Sequence, residues 1–334
     1  MKFNFNPKNN ITTKDHIGIA FEKTIGLLIK NITDLLLFKK FVKNWPTAIL
    51  FKLGFIGEFK LVLKNGQSIC INKKDFISFW LCLPMLEAVL NNTHKIKNAK
   101  IDSIDKVVKF KFKNKVIKFN YDTQKQLYNT TSMIKEQFIE EQYEWLEVKG
   151  KDVIDIGANI GDSAIYFGLE GAKRVYAFEP YPYSYNIAKN NIRLNGLQDK
   201  IILVNQSCSG EETAIKIDNN YKNFGGTNLK VFKRGKKIKV VTLNKIIKKF
   251  NIRRPAVLKI DCEGCEYGVL LKASNSDLRK FERIQVEYHY GYLNLKRRLE
   301  EAGFKTSKTL PKYSCNLEAE NKDMIMGFIY AKKS

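Results

Sequence analysis

The sequence predicts an α/β protein, a doubly wound seven-stranded sheet behind an N-terminal α+β accessory region. Three observations predict it. Residues 152–179 read as an apolar strand, a glycine-bearing turn, a helix, a second apolar strand and a closing acidic residue. That order is a βαβ unit. Residues 256–260, AVLKI, and 283–290, RIQVEYHY, are further strand-like runs with carboxylates at or near their ends. Helix-length segments lie between these runs, and strands alternating with helices build a parallel sheet.

The elements follow in chain order. Residues 15–41 carry Ile17, Phe21, Ile25, Leu28, Ile32 and Leu35 at near-helical spacing, which predicts one or two amphipathic helices. Residues 58–71 alternate about Asn65-Gly66 and predict a hairpin. Residues 76–90 read as a helix broken near Pro84, and 106–121 as a second hairpin with Asn114 at its tip. Residues 1–125 thus make the accessory region, and 126–150 a helical connector docking through Trp145 and Leu146. The main domain, 151–334, opens with a strand through Val153, Ile154 and Ile156, and 175–178 is its second. A helix over 183–194 stops at Asn195-Gly196. Residues 201–204 are the third strand, and 213–217 and 237–241 are short added strands about Gly225-Gly226, a loop placed to act as a lid. Residues 243–250 and 293–303 read as helices, and 304–309 and 324–332 as closing, partly antiparallel strands.

Glycine spacing selects the ligand. A dinucleotide fingerprint starting at Gly157 needs glycines at 159 and 162, where Asn159 and Asp162 stand. Asp162 would also set a negative charge where a phosphate should lie. No G-K-[ST] follows, so a Walker loop is absent. Asp155-x-Gly157-x-x-x-Gly161 fits a ligand with ribose and adenine but no phosphate, which is S-adenosylmethionine (SAM). Gly157 and Gly161 let backbone approach it, with Ala158 and Asn159 between them. Asp155 is placed to accept from the ammonium of its methionine part. Asp162 or Ser163 would cap the helix, and Glu179, followed by Pro180, would accept from the ribose hydroxyls. The exit loop 205–210, with Gln206, would lie by the adenine.

A second constellation faces the acceptor. Asp261, Glu263 and Glu266 crowd the end of one strand, and Glu287 and His289 share one face of another. Like charges in close array repel, so this crowding points to chemistry. His289 has the pKa suited to a general base, with Glu287 orienting it or acting in its place. Asp261 and Glu263 would hold acceptor hydroxyls or a divalent cation. Asp261 also borders the cofactor.

The ordered set VIDIGANIGDS, AFEPYP, VTLNKII, LKIDCEGCE and VEYH resembles the FkbM family of SAM-dependent methyltransferases, over roughly residues 151–309. The resemblance implies a Rossmann-like methyltransferase domain and O-methylation of hydroxyls on sugars, lipids or polyketides. Three positions depart from the family pattern. Asn244 stands where an aspartate is usual, and Cys262 and Cys265 replace valine and alanine.

The charge of +24 at pH 7 is strongly basic, and 230–254 holds eleven basic residues and no acidic one. Solvated lysine-rich faces account for this, or attraction to an anionic partner such as a membrane surface, a phosphorylated glycan carrier or RNA. An RNA methyltransferase is the first alternative reading. It is opposed by the absence of an [ND]-P-P-[YF] loop at 261–264, where the carboxylates would repel phosphate. A non-catalytic SAM-binding partner protein is the second. The acceptor expected is a small molecule, glycan or glycolipid. No apolar run is long enough to span a membrane, and the first residues lack a signal's apolar core. Six cysteines without regular spacing give no disulfide framework, so Cys262 and Cys265 are expected to fill a junction. A cytoplasmic location, peripheral to a membrane if the charge acts there, fits these features.

Overall fold

In the computed structural model, the residues described are 7–16, 19, 39–52, 55–64, 66–72, 88–90, 93–218, 221–222, 232–315 and 323–333. The expected helices over 15–41 and 76–90, the hairpin tip at Asn65 and the Gly225-Gly226 lid fall largely or wholly outside them. The chain divides into two compact units, 22–142 and a second made of 1–21 with 143–334. The contacts thus divide elsewhere than the expected 1–125, 126–150 and 151–334. Two polar side chains tie the N-terminal residues to the second of these units. Asn10 donates to the carbonyl of Tyr290 and to Asn294, and the carboxylate of Asp15 accepts from the Tyr292 hydroxyl.

Within the unit 22–142, helix α1 (Trp45–Lys52) precedes an antiparallel pair, β1 (Glu58–Val62) and β2 (Ser68–Asn72). A three-stranded antiparallel sheet joins β3 (Ile96–Asp102), β4 (Val107–Phe112) and β5 (Lys115–Asn120). Both expected hairpins form. Strand β3 was not expected, because a register shift between Lys97 and Lys100 breaks its alternation. Helix α2 (Gln124–Ile134) is capped by Thr123, whose hydroxyl accepts from the Gln126 amide. It runs into a π-helical turn that seats Phe138 edge-on against Phe110 and Phe112.

The other unit is a mixed sheet with helices. Its strands are β6 (Asp152–Ile156), β7 (Arg174–Phe178), β8 (Ile201–Val204), β12 (Ala256–Ile260), β13 (Arg283–Tyr288), β14 (Phe304–Lys308) and β16 (Asp323–Lys333). Their order is β14-β16-β13-β12-β6-β7-β8, with the short β15 (Lys312–Cys315) also pairing β16. The five strands β13-β12-β6-β7-β8 are parallel, and β16 runs antiparallel to both neighbours. This is the expected doubly wound sheet. Every residue of β12 is buried, as a strand covered on both faces requires. Two short strands, β9 (Ser207–Cys208) and β11 (Lys236–Val241), pair in parallel, and β10 (Thr213–Ile217) lies antiparallel to β11.

Helices follow the strands as the pattern requires. They are α3 (Asp162–Leu169), α4 (Pro182–Leu194), α5 (Leu243–Lys249), α6 (Cys265–Lys272), α7 (Asn275–Leu278) and α8 (Leu293–Glu301). Pro182 opens α4, where its missing N–H costs nothing. Thr242 caps α5 by accepting from Lys245, and Asn244 donates to Asp277 on α7. Asn244 therefore ties two helices together. Trp145 packs on Tyr330 of β16 with Arg283 over its ring, and Leu146 is fully buried. Both anchor residues are docked as expected, in the same unit as the sheet.

Candidate active site

Backbone register builds the site before any side chain acts. Ile156 at the end of β6 pairs with Phe178 of β7 and with Ile260 of β12, and Ile260 pairs with Val286 of β13. The next residue on each strand therefore falls in one row: Glu179, Gly157, Asp261 and Glu287. That row is the carboxyl rim of the parallel sheet, where ligands bind in such folds.

The turn after β6 is built for close approach. Gly157 and Gly161 have φ of +86° and +84°. A Cβ on Gly157 would stand 1.7 Å from the carbonyl oxygen of Asp261, so only glycine lets β6 and β12 close together here. Asn159 also takes a positive φ, +45°. The amides of Gly157 and Ala158 donate to Phe178, and that of Asn159 donates to Glu179 Oε2 at 2.9 Å. Glu179 Oε1 accepts from the Tyr181 amide at 2.9 Å. Each oxygen of the Glu179 carboxyl thus has a backbone amide as a partner. Burial pushes Glu179 up to about 8, against those two amides. Asn205 donates to the carbonyls of Glu179 and Pro180, which fixes the chain beside Gln206.

Two expectations about this turn are corrected. Helix α3 is capped by Gly161 with no side-chain hydrogen bond, so neither Asp162 nor Ser163 is the cap. Asp162 is the first helical residue instead, buried, and burial pushes its carboxyl up to about 7. Asp155 does not present a carboxylate to a ligand. It is 0% exposed, accepts from the Ser163 hydroxyl at 2.7 Å, and pairs with Lys259 Nζ at 3.1 Å. Lys259 also donates to the Gly157 carbonyl at 2.7 Å and lies 3.7 Å from Asp261. Burial alone would lower Lys259, but Asp155, Asp261 and Asp162 hold it charged, above its ordinary value. Lys259 is the residue that sequence reasoning missed. The signal was a lysine inside an otherwise apolar strand, which must find a buried partner.

Asp261, Glu263, Glu287 and His289 gather on one rim. His289 is 1% exposed, and its Nδ1 lies 2.7 Å from Glu266 Oε1. Its Nε2 lies 3.3 Å from Glu263 and 3.9 Å from Asp261. Burial lowers its pKa, but Glu263 and Glu266 outweigh burial and hold it well above the ordinary value. His289 is thus clasped between carboxylates rather than exposed as a free base. Glu266 is 0% exposed and also accepts from the Gly264 amide at 2.8 Å. Tyr143, from before the motif, donates to Asp261 Oδ2 at 2.9 Å, a link no spacing in the sequence could signal. Asp261, Glu263 and Glu287 remain partly exposed.

The cysteines are also corrected. Cys262 and Cys265 form a disulfide, with Cα atoms 5.4 Å apart. Gly264 at φ +115° folds the chain back on the first turn of α6 and brings the two within bridging range.

Residues 155–306 match the sequence profile of the methyltransferase FkbM domain. The match takes in a little under half of the chain and is a similarity to that domain. Similar proteins are of several kinds. Ribosomal protein L11 methyltransferase of Carboxydothermus hydrogenoformans is 40% identical over 55 residues, 16% of this chain and 18% of that protein. Hexuronic acid methyltransferase AglP of Haloferax volcanii is 27% identical over 147 residues, 43% of this chain and 59% of that protein. The chain spans less than two thirds of either relative. Precorrin-6y C5,15-methyltransferase from Geobacter metallireducens superposes with a TM-score of 0.34 and 13% identity, over 65% of this chain and 94% of that one. The sheet order, not that loose superposition, defines the fold. SAM is the cofactor the FkbM family implies, and the domain fits it. The Gly157–Gly161 turn, with both glycines at positive φ, stands at the carboxyl end of β6, and Glu179 directly follows β7 beside it. Among the described residues, no helix is long and apolar enough to cross a membrane.

Proposed function

We propose that this protein transfers the methyl group of SAM to a hydroxyl of a sugar, glycan or glycolipid. One observation carries the reading. Register sets Glu179, Gly157, Asp261 and Glu287 side by side on one rim, so a ribose-binding acid, a glycine cradle and acceptor-facing carboxylates adjoin. SAM, when bound, supplies a methyl on a cationic sulfur that an oxygen can displace in line. The chain supplies positioning and a destination for the proton. Glu179 accepts from ribose hydroxyls. The Gly157–Gly161 backbone admits the methionine part. Asp155 and Lys259 act beneath the turn, holding β6 to β12. Asp261, oriented by Tyr143, accepts from an acceptor hydroxyl. Glu263, partly exposed beside the fixed His289, takes the proton as the C–O bond forms. The relative that acts on hexuronic acid supports a sugar acceptor, and the carboxylates disfavour a phosphate-backed one.

The test is transfer from methyl-labelled SAM into fractionated extract of the source cell, with Glu179→Ala as control. Label in carbohydrate or glycolipid that the control lacks supports the reading. Label in RNA overturns the acceptor assignment, and intact SAM binding without label in any fraction overturns the activity.

A further inference from the structure

We infer that Asp261, Glu287 and His289 form a divalent-cation site beside the cofactor cradle, of the mixed imidazole and carboxylate kind that takes Mn²⁺. Their ligand atoms all lie within 4.8 Å of one another. Two donors on one such ion stand up to about 4–5 Å apart, since each lies at roughly 2.0–2.5 Å from the metal. The three residues come from adjacent strand ends. Asp261 follows Ile260 and Glu287 follows Val286, and those two pair in register. The backbone ladder therefore fixes the two carboxylates, as a preformed metal site requires.

The histidine supplies a second, separate argument. Its ring is 1% exposed, and Nδ1 is held at 2.7 Å by Glu266, which is 0% exposed and lies outside the ligand set. A carboxylate behind one ring nitrogen is the arrangement that orients the other nitrogen for a metal. Here that other nitrogen, Nε2, is aimed at Asp261 and Glu263, at 3.9 and 3.3 Å. Tyr143 occupies Asp261 Oδ2, and the oxygen nearest Nε2 is Oδ1. An ion held by this set leaves Glu263, which is not a ligand in it, to take the acceptor's proton.

The site names a class of acceptor. Binding of the ion stands on geometry alone, while its use in methyl transfer rests on the function proposed above. A cation with two or three open positions chelates adjacent oxygens. The acceptor it suits carries a vicinal diol or a hydroxyl beside a carboxylate, as sugars and sugar acids do. It would also offset the repulsion that this acidic rim otherwise exerts on an acidic sugar.

The experiment is Mn²⁺ binding to the full chain after chelator treatment and desalting, followed by isothermal titration and by electron paramagnetic resonance. One equivalent is expected, with nitrogen modulation in the spin-echo signal from the His289 ring. Asp261→Asn and Glu287→Gln should each weaken binding at least tenfold, while both fold as judged by thermal unfolding. Glu263→Gln should bind Mn²⁺ within about threefold of the parent chain. Absence of binding at millimolar Mn²⁺, with and without SAM, overturns the proposal. So does a bound ion without nitrogen coupling, or one that both variants retain unchanged. Label transfer is not needed for any of these readouts. Mn²⁺ bound as expected without methyl transfer would remove the proposed function and leave the site standing.

Discussion

Clasped between Glu266 on one ring nitrogen and Glu263 on the other, His289 illustrates how burial reassigns a side chain. A histidine in solution is a ready base, whereas one enclosed by carboxylates is a fixed cation or a metal ligand. Under the proposed function, the proton-accepting role falls to Glu263. Glu263→Gln should lower kcat by roughly 10²–10⁴ with the SAM dissociation constant within about twofold. Initial rates and titration calorimetry check this, and an equal loss in both quantities would refute it. Glu266→Gln weakens the anchor behind the ring and alters the acceptor of the Gly264 and His289 amides. Its expected cost is about 10–100-fold in kcat, with the fold intact by circular dichroism.

Strands β6 and β12 meet through two devices, a glycine and a buried ion pair. Gly157→Ala would drive a Cβ into the Asp261 carbonyl at a positive φ. A loss on the order of 2–4 kcal/mol is expected, read as a lower urea midpoint with the slope unchanged, together with loss of SAM binding. Lys259→Met leaves Asp155 buried beside no cation, which should cost roughly 3–5 kcal/mol. Adding Asp155→Asn should recover part of that loss. If the double variant is as unstable as the two single losses summed, the pair does not act as a unit.

Across the whole molecule, two buried acids set a pH dependence. Burial pushes Glu179 up to about 8 and Asp162 up to about 7, from ordinary values of 4.5 and 3.8. The folded chain then holds protons that the unfolded chain releases. This contribution is fully present below the unfolded values and is lost as pH rises through the folded ones. Thermal midpoints of the SAM-free protein should therefore fall between about pH 5 and pH 9 more steeply than those of Glu179→Gln. Parallel curves would show that Glu179 does not carry the effect. The N-terminal residues supply a second test. Asn10→Ala deletes bonds to Tyr290 and Asn294, and a loss of about 1–3 kcal/mol should appear as a lower Tm.

The local pattern of the sequence determined the alternating elements, the glycine turn, the acid after the second strand and the acid-histidine end of the sheet. Each is a property of spacing, and period and turn chemistry are written residue by residue. Tertiary structure alone decided which groups face one another. Asp155 and Lys259 are 104 positions apart yet share an ion pair, and pairing of β6 with β12 turned a supposed ligand contact into a strut. Tyr143 reached Asp261, Glu266 took one face of His289, and residues 7–16 joined the unit of 143–334. Such contacts depend on strand order and burial, which no local spacing carries, and desolvation then sets the charge each group bears.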